Sequence, residues 1–350
     1  MSWYLEAGND SDIVLSSRIR LARNLRGYLF PNCMNDEARK AVLEKVSEVL
    51  TNIPGNPLMR MDIAPLPQTD RRALIEKHLI SEELAKGQEG QSAFISKDEN
   101  ISVMVNEEDH IRIQVMSPGF SLENTYKQAE DMAIYLEGML PIAFSEKYGF
   151  LTAYPSNTGT GLRASVMVHL PVLTSIRGIT ALKDSLQKAG YTVRGAYGEN
   201  SKSVGNIYQI SNTITLGISE KKTLQNFGKM INEVIALERK LRQEFYGKNK
   251  EKLEDRVFRS LGELTYARLI SSAEAMNRLS DLRLGVACGF LKDVNERQLM
   301  LLLNTIGDAS VQKRCGEVLT PKDLAMRRAD LIREVLKGKE EKKNEEEKGE

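Results

Sequence analysis

Residues 101–115 read I-S-V-M-V-N-E-E-D-H-I-R-I-Q-V, and they are the most informative stretch about the architecture. Apolar and polar residues alternate on both sides of a polar N-E-E-D segment, which is the pattern of two β-strands joined by a tight turn. Arg112 and Gln114 fall on the face opposite the isoleucines, because successive side chains of a strand point to opposite sides. The stretch predicts an antiparallel hairpin with one apolar face and one polar, charged face.

Further strands and helices are predicted on both sides of this hairpin. The apolar spacing predicts strands over about 150–153, 162–170, 191–194 and 206–217, and helices over 36–51, 69–86 and 121–139. Consecutive strands joined by short loops favour an antiparallel sheet with helices packed against it. The fold class of this part is therefore α+β.

The pattern changes near residue 220, after which only helical spacing is found. About five helices follow, with polar breaks such as G-K-N-K at 247–250, and this pattern is typical of a helical bundle. The end of the chain is a charged, low-complexity stretch that cannot form a core. We predict an α+β domain over 1–220, an all-helical domain over 221–336 and a disordered tail over 337–350.

The composition excludes several classes of protein. The chain has 350 residues, 41% of them hydrophobic and 28% charged, and a net charge of +1. Such a balance gives no general attraction to nucleic acid or to a membrane, and no apolar run approaches the roughly 20 residues of a spanning helix. Three distant cysteines and three histidines suggest neither a disulfide framework nor a zinc site. The cytoplasm is the expected compartment.

Five arginines lie beside turns or at strand starts, namely Arg18, Arg20, Arg112, Arg163 and Arg194. The planar guanidinium group donates two parallel hydrogen bonds and is suited to holding phosphate oxygens. Glu108 and Glu199 lie close to them in sequence. Carboxylates would be poor neighbours for a phosphate but suit a cationic second substrate. The combination suggests phosphoryl transfer to a basic group.

A glycine-bearing loop, P-S-N-T-G-T-G at 155–161, precedes Arg163. Gly159 and Gly161 would let the backbone approach a ligand, and the loop amides, with Ser156 and Asn157, would form an anion nest. The loop does not fit the P-loop pattern, and no protein-kinase motif follows it. Each of these motifs, taken alone, also fits an ordinary solvated loop.

The helical half contains T-P-K-D-L-A-M-R-R-A-D-L-I-R at 320–333. Thr320 as N-cap and Pro321 at the first helical position predict a helix start. Arg327, Arg328 and Arg333 form either an anion-binding cluster or the solvated face of this helix.

The four sheet motifs together resemble the catalytic domain of the phosphagen (guanidino) kinases. The family patterns S-x-R-x-R, N-E-E-D-H-[LI]-R, C-P-[ST]-N-x-G-T-x-x-R and R-G-x-x-G-E occur here in the same order, across roughly residues 10–220. Small-substrate members carry a helical domain before S-x-R-x-R, which here starts at Ser16, and they lack the helical region that follows. Both differences resemble the bacterial protein arginine kinases, whose acceptor is an arginine on a protein.

The resemblance implies a division of roles among the motif residues. Mg·ATP would bind with its phosphates held by the five arginines, and Glu107 would support the metal through water. Glu108 and Glu199 would hold the acceptor guanidinium. Tyr154 stands where the family usually has a cysteine that helps to orient this group, so the catalytic set departs from the family pattern there.

The resemblance also implies partners, and it leaves two alternatives. For the helical half it implies recognition of phosphoarginine, with Arg327, Arg328 and Arg333 as candidates, and self-association. Expected partners are substrate proteins with exposed arginines, the heat-shock repressor CtsR, the activator McsA and the protease subunit ClpC. The alternatives are a kinase of a small free guanidino compound and a phosphoarginine-binding protease adaptor with little or no kinase activity.

Overall fold

A computed structural model describes residues 2–6, 8–53, 55, 57–196 and 203–337. Its strands are β1 (Val14–Arg23), β2 (Met59–Asp62), β3 (Ser92–Ile95), β4 (Ile101–Val105), β5 (Ile111–Pro118), β6 (Phe144–Ser145), β7 (Gly149–Phe150), β8 (Leu162–His169), β9 (Tyr191–Gly195) and β10 (Ile207–Asn212). Eight of them form one sheet in the order β2-β3-β4-β5-β1-β8-β10-β9, with antiparallel neighbours throughout. β6 and β7 form a small separate hairpin. The predicted α+β class and the β4–β5 hairpin are confirmed.

The helices are α1 (Asp36–Thr51), α2 (Gln68–Glu76), α3 (Leu122–Met139), α4 (Pro171–Ser175), α5 (Ile179–Lys188), α6 (Glu220–Tyr266), α7 (Ser272–Ala287), α8 (Glu296–Thr305), α9 (Asp308–Cys315) and α10 (Pro321–Lys337). The predictions for α1 and α3 are confirmed. α2 ends ten residues before the predicted end, because the chain turns at His78, whose φ is 59°. No helix in the described part of the chain is long and apolar enough to span a membrane.

The two faces of the sheet carry different side chains. One face is apolar and packs against α1, α3 and the first part of α6 in a single core. Its central strands contribute Ile19, Leu21, Ile113 and Val166, each at most 2% exposed. Alternation then places Arg18, Arg20, Arg112 and Arg163 on the opposite face.

α6 joins the two halves of the molecule. Leu224, Phe227 and Ile231 belong to the core beneath the sheet, whereas Val257 and Leu264 belong to a second core with α7, α8 and α10. The change of core therefore lies within α6, and the division of the chain between residues 220 and 221 stays a prediction. Residues 338–350, most of the predicted tail, lie outside the described residues.

The predicted break at 247–250 is a kink inside α6. Asn249 is non-helical there, with φ −140° and ψ 32°. Its side-chain Nδ2 donates to the carbonyl of Phe245 at 3.2 Å. The polar residues therefore bend the helix without ending it.

Two predicted strands are shorter than expected. β7 stops at Phe150, and the Ala153 amide donates to the Asp109 carboxylate at 2.7 Å and not to a neighbouring strand. β10 stops at Asn212, whose side chain donates to the carbonyl of Ile214 at 3.1 Å and so turns the chain away from the sheet. In both places a side chain ends the strand, which apolar spacing alone does not reveal.

The predicted start of α10 is confirmed. The Thr320 hydroxyl accepts a hydrogen bond from the Asp323 amide at 3.2 Å, and Pro321 is the first helical residue. This helix returns across α6 and α9 and closes the second core.

Candidate active site

Strand pairing gathers the sheet arginines into one region. Arg20 of β1 lies opposite Arg163 of β8, and Arg112 of β5 is the partner of Ala22. Arg194 lies two strands away on β9, opposite Gln209 of β10. Four motifs that are far apart in sequence thus meet on one face of the sheet.

The arginines surround a small polar cavity of about 160 Å³. It is lined by Arg20, Ala22, Glu108, Arg112, Asn157, Gly161, Arg163, Arg194 and Gln209. Four of the five predicted phosphate-binding arginines and one of the predicted acceptor carboxylates therefore face the same space.

The guanidinium groups repel one another. Burial and the charges of Arg163 and Arg112 lower the pKa of Arg18 to about 10. Burial, together with neighbouring arginines, also lowers the pKa of Arg20 and of Arg163. The Nε atoms of Arg20 and Arg163 are buried and find no hydrogen-bond partner among the described residues. Positive charge exceeds negative charge in this cluster, and a polyanion such as a triphosphate would compensate the excess.

Arg18 is fixed by neutral partners. Its Nη2 donates to Gln209 Oε1 at 2.7 Å, and its Nε donates to Ser165 Oγ at 3.2 Å. Sequence analysis missed both partners. Strand alternation from Arg163 would have found Ser165, whereas nothing in the sequence points to Gln209. Because these partners carry no charge, they orient Arg18 without neutralising it.

The acidic turn between β4 and β5 is tied to Arg112. Arg112 Nη1 donates to Glu107 Oε1 at 2.6 Å, and Nη2 pairs with Glu108. The other oxygen of Glu107 accepts from the Glu108 amide at 2.7 Å. Burial raises the pKa of Glu107, although Arg112 and these hydrogen bonds oppose the shift. Glu108, about one third exposed, is the carboxylate that reaches the cavity.

The same carboxylates decide what kind of magnesium site is possible here. Among the described residues there is no cluster of three or more His, Cys, Asp or Glu side chains that could hold a metal ion. Both oxygens of Glu107 already have protein donors. Mg²⁺ is usually held by substrate phosphates, waters and one or two carboxylates. The site fits a metal that is carried by a nucleotide and not one held in a cage of protein ligands.

The glycine loop approaches neighbouring backbone closely. Gly159 has φ +112° and Gly161 has φ +64°, and an added Cβ would lie 2.2 Å from the Thr215 carbonyl oxygen and 2.7 Å from that of Ala22, respectively. Only glycine fits these positions. Thr215 Oγ1 also donates to the Ser156 carbonyl at 3.0 Å, which fixes the loop beside Asn157 and the cavity.

Arg23 supports this loop from behind and was not predicted. Its Nη1 donates to the Thr160 carbonyl at 3.3 Å, its Nε pairs with Glu137 at 2.7 Å, and its guanidinium lies 3.4 Å from the ring centre of Phe150. Unlike the cavity arginines, Arg23 has a carboxylate partner. It is a structural arginine on the same strand as Arg18 and Arg20.

The roles of two predicted acceptor residues, Tyr154 and Glu199, stay predictions for different reasons. Tyr154 precedes the short 3₁₀ helix Pro155–Asn157 and is 50% exposed, outside the lining of the cavity. Its role at the acceptor stays a prediction. Glu199 lies outside the described residues, although Arg194 of the same motif is in place on β9.

The arginines of α10 differ from the prediction. Arg328 is 2% exposed, donates to the carbonyls of Ile306 and Ile270 at 2.7 and 3.0 Å, and pairs with Asp308. Arg333 binds the Ala267 carbonyl and Asp330. Arg327 is exposed. The three do not form one ligand-facing cluster, because helical spacing turns Arg328 into the second core.

Two family models match different parts of the chain. Residues 41–241 match the model described as ATP:guanido phosphotransferase, C-terminal catalytic domain. Residues 250–347 match the model described as Protein-arginine kinase McsB C-terminal domain. The junction between the two matches falls at the kink of α6.

Similar proteins extend over almost the whole chain. A protein-arginine kinase of Halothermothrix orenii is 43% identical over 334 residues, covering 95% of this chain and 96% of its own. One from a Geobacillus species is 42% identical over 344 residues, covering 97% and 95%.

Solved structures share the sheet. The substrate-free duplicated taurocyamine kinase from Schistosoma mansoni aligns with TM-score 0.60 and 29% identity over 72% of this chain, which spans 38% of that longer protein. A lombricine kinase aligns with TM-score 0.60 and 24% identity, over 70% of this chain and 72% of its own, and supports the fold alone.

Proposed function

The chain belongs to the ATP:guanido phosphotransferase family and, within it, to the protein-arginine kinases, and we propose that it transfers the γ-phosphoryl group of ATP to arginine side chains of proteins. The observation that carries the proposal is the cavity in which unneutralised arginines meet Glu108. The arginines suit phosphate groups and the carboxylate suits a guanidinium, so the reacting groups of both substrates can meet at this cavity.

The arginines act on the phosphate chain. Arg20, Arg112 and Arg163 line the cavity and Arg18 lies beside it, so their charges are in place before ATP binds. Preorganised positive charge stabilises the charge that spreads over the transferred group and needs no reorganisation during the reaction. Magnesium, carried by the nucleotide, would neutralise further phosphate charge. Arg194, exposed on β9, would complete the set from the open side.

Glu108 acts on the acceptor. An arginine guanidinium is protonated at all ordinary pH values and has no lone pair to attack with. A carboxylate cannot remove that proton beforehand, because their pKa values differ by roughly eight units. Glu108, with Glu199, therefore aligns the acceptor nitrogen with the γ-phosphorus and accepts its proton as the N–P bond forms and the bond to ADP breaks. Arg112 must release Glu108 for this step, and incoming phosphates would compete for Arg112.

The biological setting belongs to the same proposal. We propose that the enzyme works in the cytoplasm, self-associates, and marks proteins for Clp degradation with ClpC as partner, McsA as activator and CtsR as one target. The support is the motif resemblance together with the match of the helical half to a protein-arginine kinase domain.

The test is direct. The purified protein is incubated with Mg·ATP and casein, and phosphoarginine is sought by mass spectrometry under non-acidic conditions that spare the N–P bond. Phosphoarginine with the parent protein, and its loss in Glu108→Gln and Glu199→Ala, are expected. Phosphorylation of free arginine but not of casein would favour a small-substrate kinase. Phosphoarginine-peptide binding without any phosphorylation would favour the adaptor.

A further inference from the structure

The segment between α2 and the 3₁₀ helix Leu84–Lys86 links the helical half to the cavity, and it lies outside every motif described above. We propose that Ser81 is a positioning residue for phosphoryl transfer, acting through Glu107, and that Glu76 anchors the same segment to the helical half. The inference rests on the proposed function, because it assigns a task to the cavity. It adds a series of contacts through which the helical half can affect phosphoryl transfer at the cavity.

Ser81 holds one oxygen of Glu107. Its Oγ donates to Glu107 Oε1 at 2.5 Å and accepts from the Leu84 amide at 3.1 Å. Because the amide occupies an acceptor position of the hydroxyl, the proton of Ser81 is directed at the carboxylate. The same Oε1 accepts from Arg112 Nη1 at 2.6 Å. A shift of Ser81 therefore moves the oxygen that orients Arg112.

The path from Glu76 to Ser81 is fixed along its length. The His78 carbonyl accepts from Gln114 Nε2 at 2.7 Å, and the Leu79 carbonyl accepts from Ser102 Oγ at 2.6 Å. These partners lie on β5 and β4, the strands that lead to the acidic turn. The segment is therefore attached to the catalytic sheet at successive residues and moves with it.

Glu76 attaches the other end to α9. Its Oε1 accepts from the Ala309 amide at 2.9 Å, and its Oε2 accepts from the amide and hydroxyl of Ser310 at 2.8 and 2.6 Å. A Cβ at Gly307 would lie 2.3 Å from the Glu76 carboxylate, so only glycine leaves room for it. The first turn of α9 is thus capped by a carboxylate from α2. A displacement of α9 would pull on α2 and, through it, on Ser81.

The decisive comparison is Ser81→Ala against Ser81→Thr and Ser96→Ala. Ser96 also caps a turn, donating to Asn100 at 2.9 Å and accepting from the Ile101 amide at 3.0 Å, but it lies at the other end of β4. Ser81→Ala should lower kcat/KM roughly tenfold, the value of one hydrogen bond to a charged group. Ser81→Thr, which keeps the hydroxyl, should recover most of it, and Ser96→Ala should retain activity.

Two kinetic readouts separate positioning from simple loss of structure. The Ser81 hydroxyl holds the Glu107 oxygen that Arg112 also binds. Because Arg112 belongs to the phosphate-binding set, Ser81→Ala should raise the KM for ATP as well as lower kcat, whereas Ser96→Ala should change neither. Equal kinetic constants for the two alanine variants, or a Ser81→Thr protein no more active than Ser81→Ala, would overturn the role of Ser81.

The Glu76 end has its own control. Asp70 on the same helix pairs with Lys313 of α9 at 3.2 Å without capping it. Glu76→Ala should lower kcat several-fold and raise the KM for ATP, as Ser81→Ala does, whereas Asp70→Ala should do neither. Equal kinetic constants for Glu76→Ala and Asp70→Ala would remove the link to α9.

Failure of the proposed function would be recognised separately. If the parent protein modifies no arginine, ADP affinity measured by calorimetry replaces turnover, because Arg112 belongs to the phosphate-binding set. Ser81→Ala should then weaken ADP binding relative to Ser96→Ala. Equal affinities would reject the positioning role, whatever the acceptor is.

Discussion

Arg163 on the sheet and Arg328 on α10 are both largely removed from solvent, yet their surroundings are opposite. Arg328 has carbonyls and Asp308 around its guanidinium. Arg163 has other arginines nearby, and its Nε has no partner among the described residues. An unneutralised buried charge costs stability, so it persists only where it serves a ligand. Arg328 therefore stabilises the fold, whereas Arg163 has the surroundings expected of the phosphate-binding residue that we propose it to be.

The largest expected effect comes from Arg163→Ala. Phosphorylation of casein should fall by about 10³-fold or more, the order found when an arginine that stabilises a transferred phosphoryl group is removed. The free energy of unfolding should stay equal or rise, because repulsion from Arg194 and Arg112 is relieved. Kinetic assays and urea denaturation measure both.

Arg26→Ala is the matched control for that substitution, since Arg26 is exposed just beyond β1. It should keep its activity. A strongly destabilised Arg163→Ala protein would show that Arg163 is a structural arginine like Arg328, and the contrast between the two regions would disappear.

Arg328→Ala, in contrast to Arg163→Ala, should mainly lower the free energy of unfolding. Asp308 and two carbonyls would lose their partner inside the second core, so the free energy of unfolding should fall by about 3–5 kcal/mol. Arg327→Ala, at an exposed neighbour, should change it by no more than about 0.5 kcal/mol. Urea denaturation followed by circular dichroism measures the difference.

Phosphoarginine-peptide binding sharpens the interpretation of Arg328. Weaker binding by an Arg328→Ala protein that is as stable as the parent would return this residue to a ligand site, as the family resemblance implied. Unchanged binding by Arg327→Ala would remove the exposed neighbour from that site.

Tyr154→Cys should have the smallest effect and tests the acceptor side alone. Tyr154 lies outside the lining of the phosphate cavity, so the KM for ATP should not change. Restoring the residue usual in the family should raise kcat/KM for the protein acceptor by up to about tenfold. A changed KM for ATP would instead place this residue on the phosphate side.

The sheet could be predicted because strand alternation is a strong local signal. The period of two residues places Arg18, Arg20, Arg112 and Arg163 on one face, and antiparallel pairing then brings them together. The apolar face was likewise evident from the isoleucines of β4 and β5. Position along a strand was therefore enough to predict most of the cavity.

What could not be predicted depends on contacts between distant elements. In the sequence, Arg328 is one of several arginines of α10. Only the packing of α10 against α9 shows that its side chain faces the second core. Ser81 and Glu107 are 26 positions apart in the sequence, so no single motif contains both partners of their hydrogen bond. The end of β10 depends on a single side chain, that of Asn212.

The position of β1 has a consequence for synthesis on the ribosome. This strand is translated first among the ten but lies in the middle of the sheet, between β5 and β8. Just before it, the Ser11 hydroxyl donates to Glu296, a residue 285 positions later. At 5–20 residues per second, roughly 15–60 s pass before that partner exists. Before that, both edges of β1 stay unpaired until β5 has been made, and one edge stays unpaired until β8 has been made. A chaperone that shields this strand during that time would raise the yield of folded enzyme.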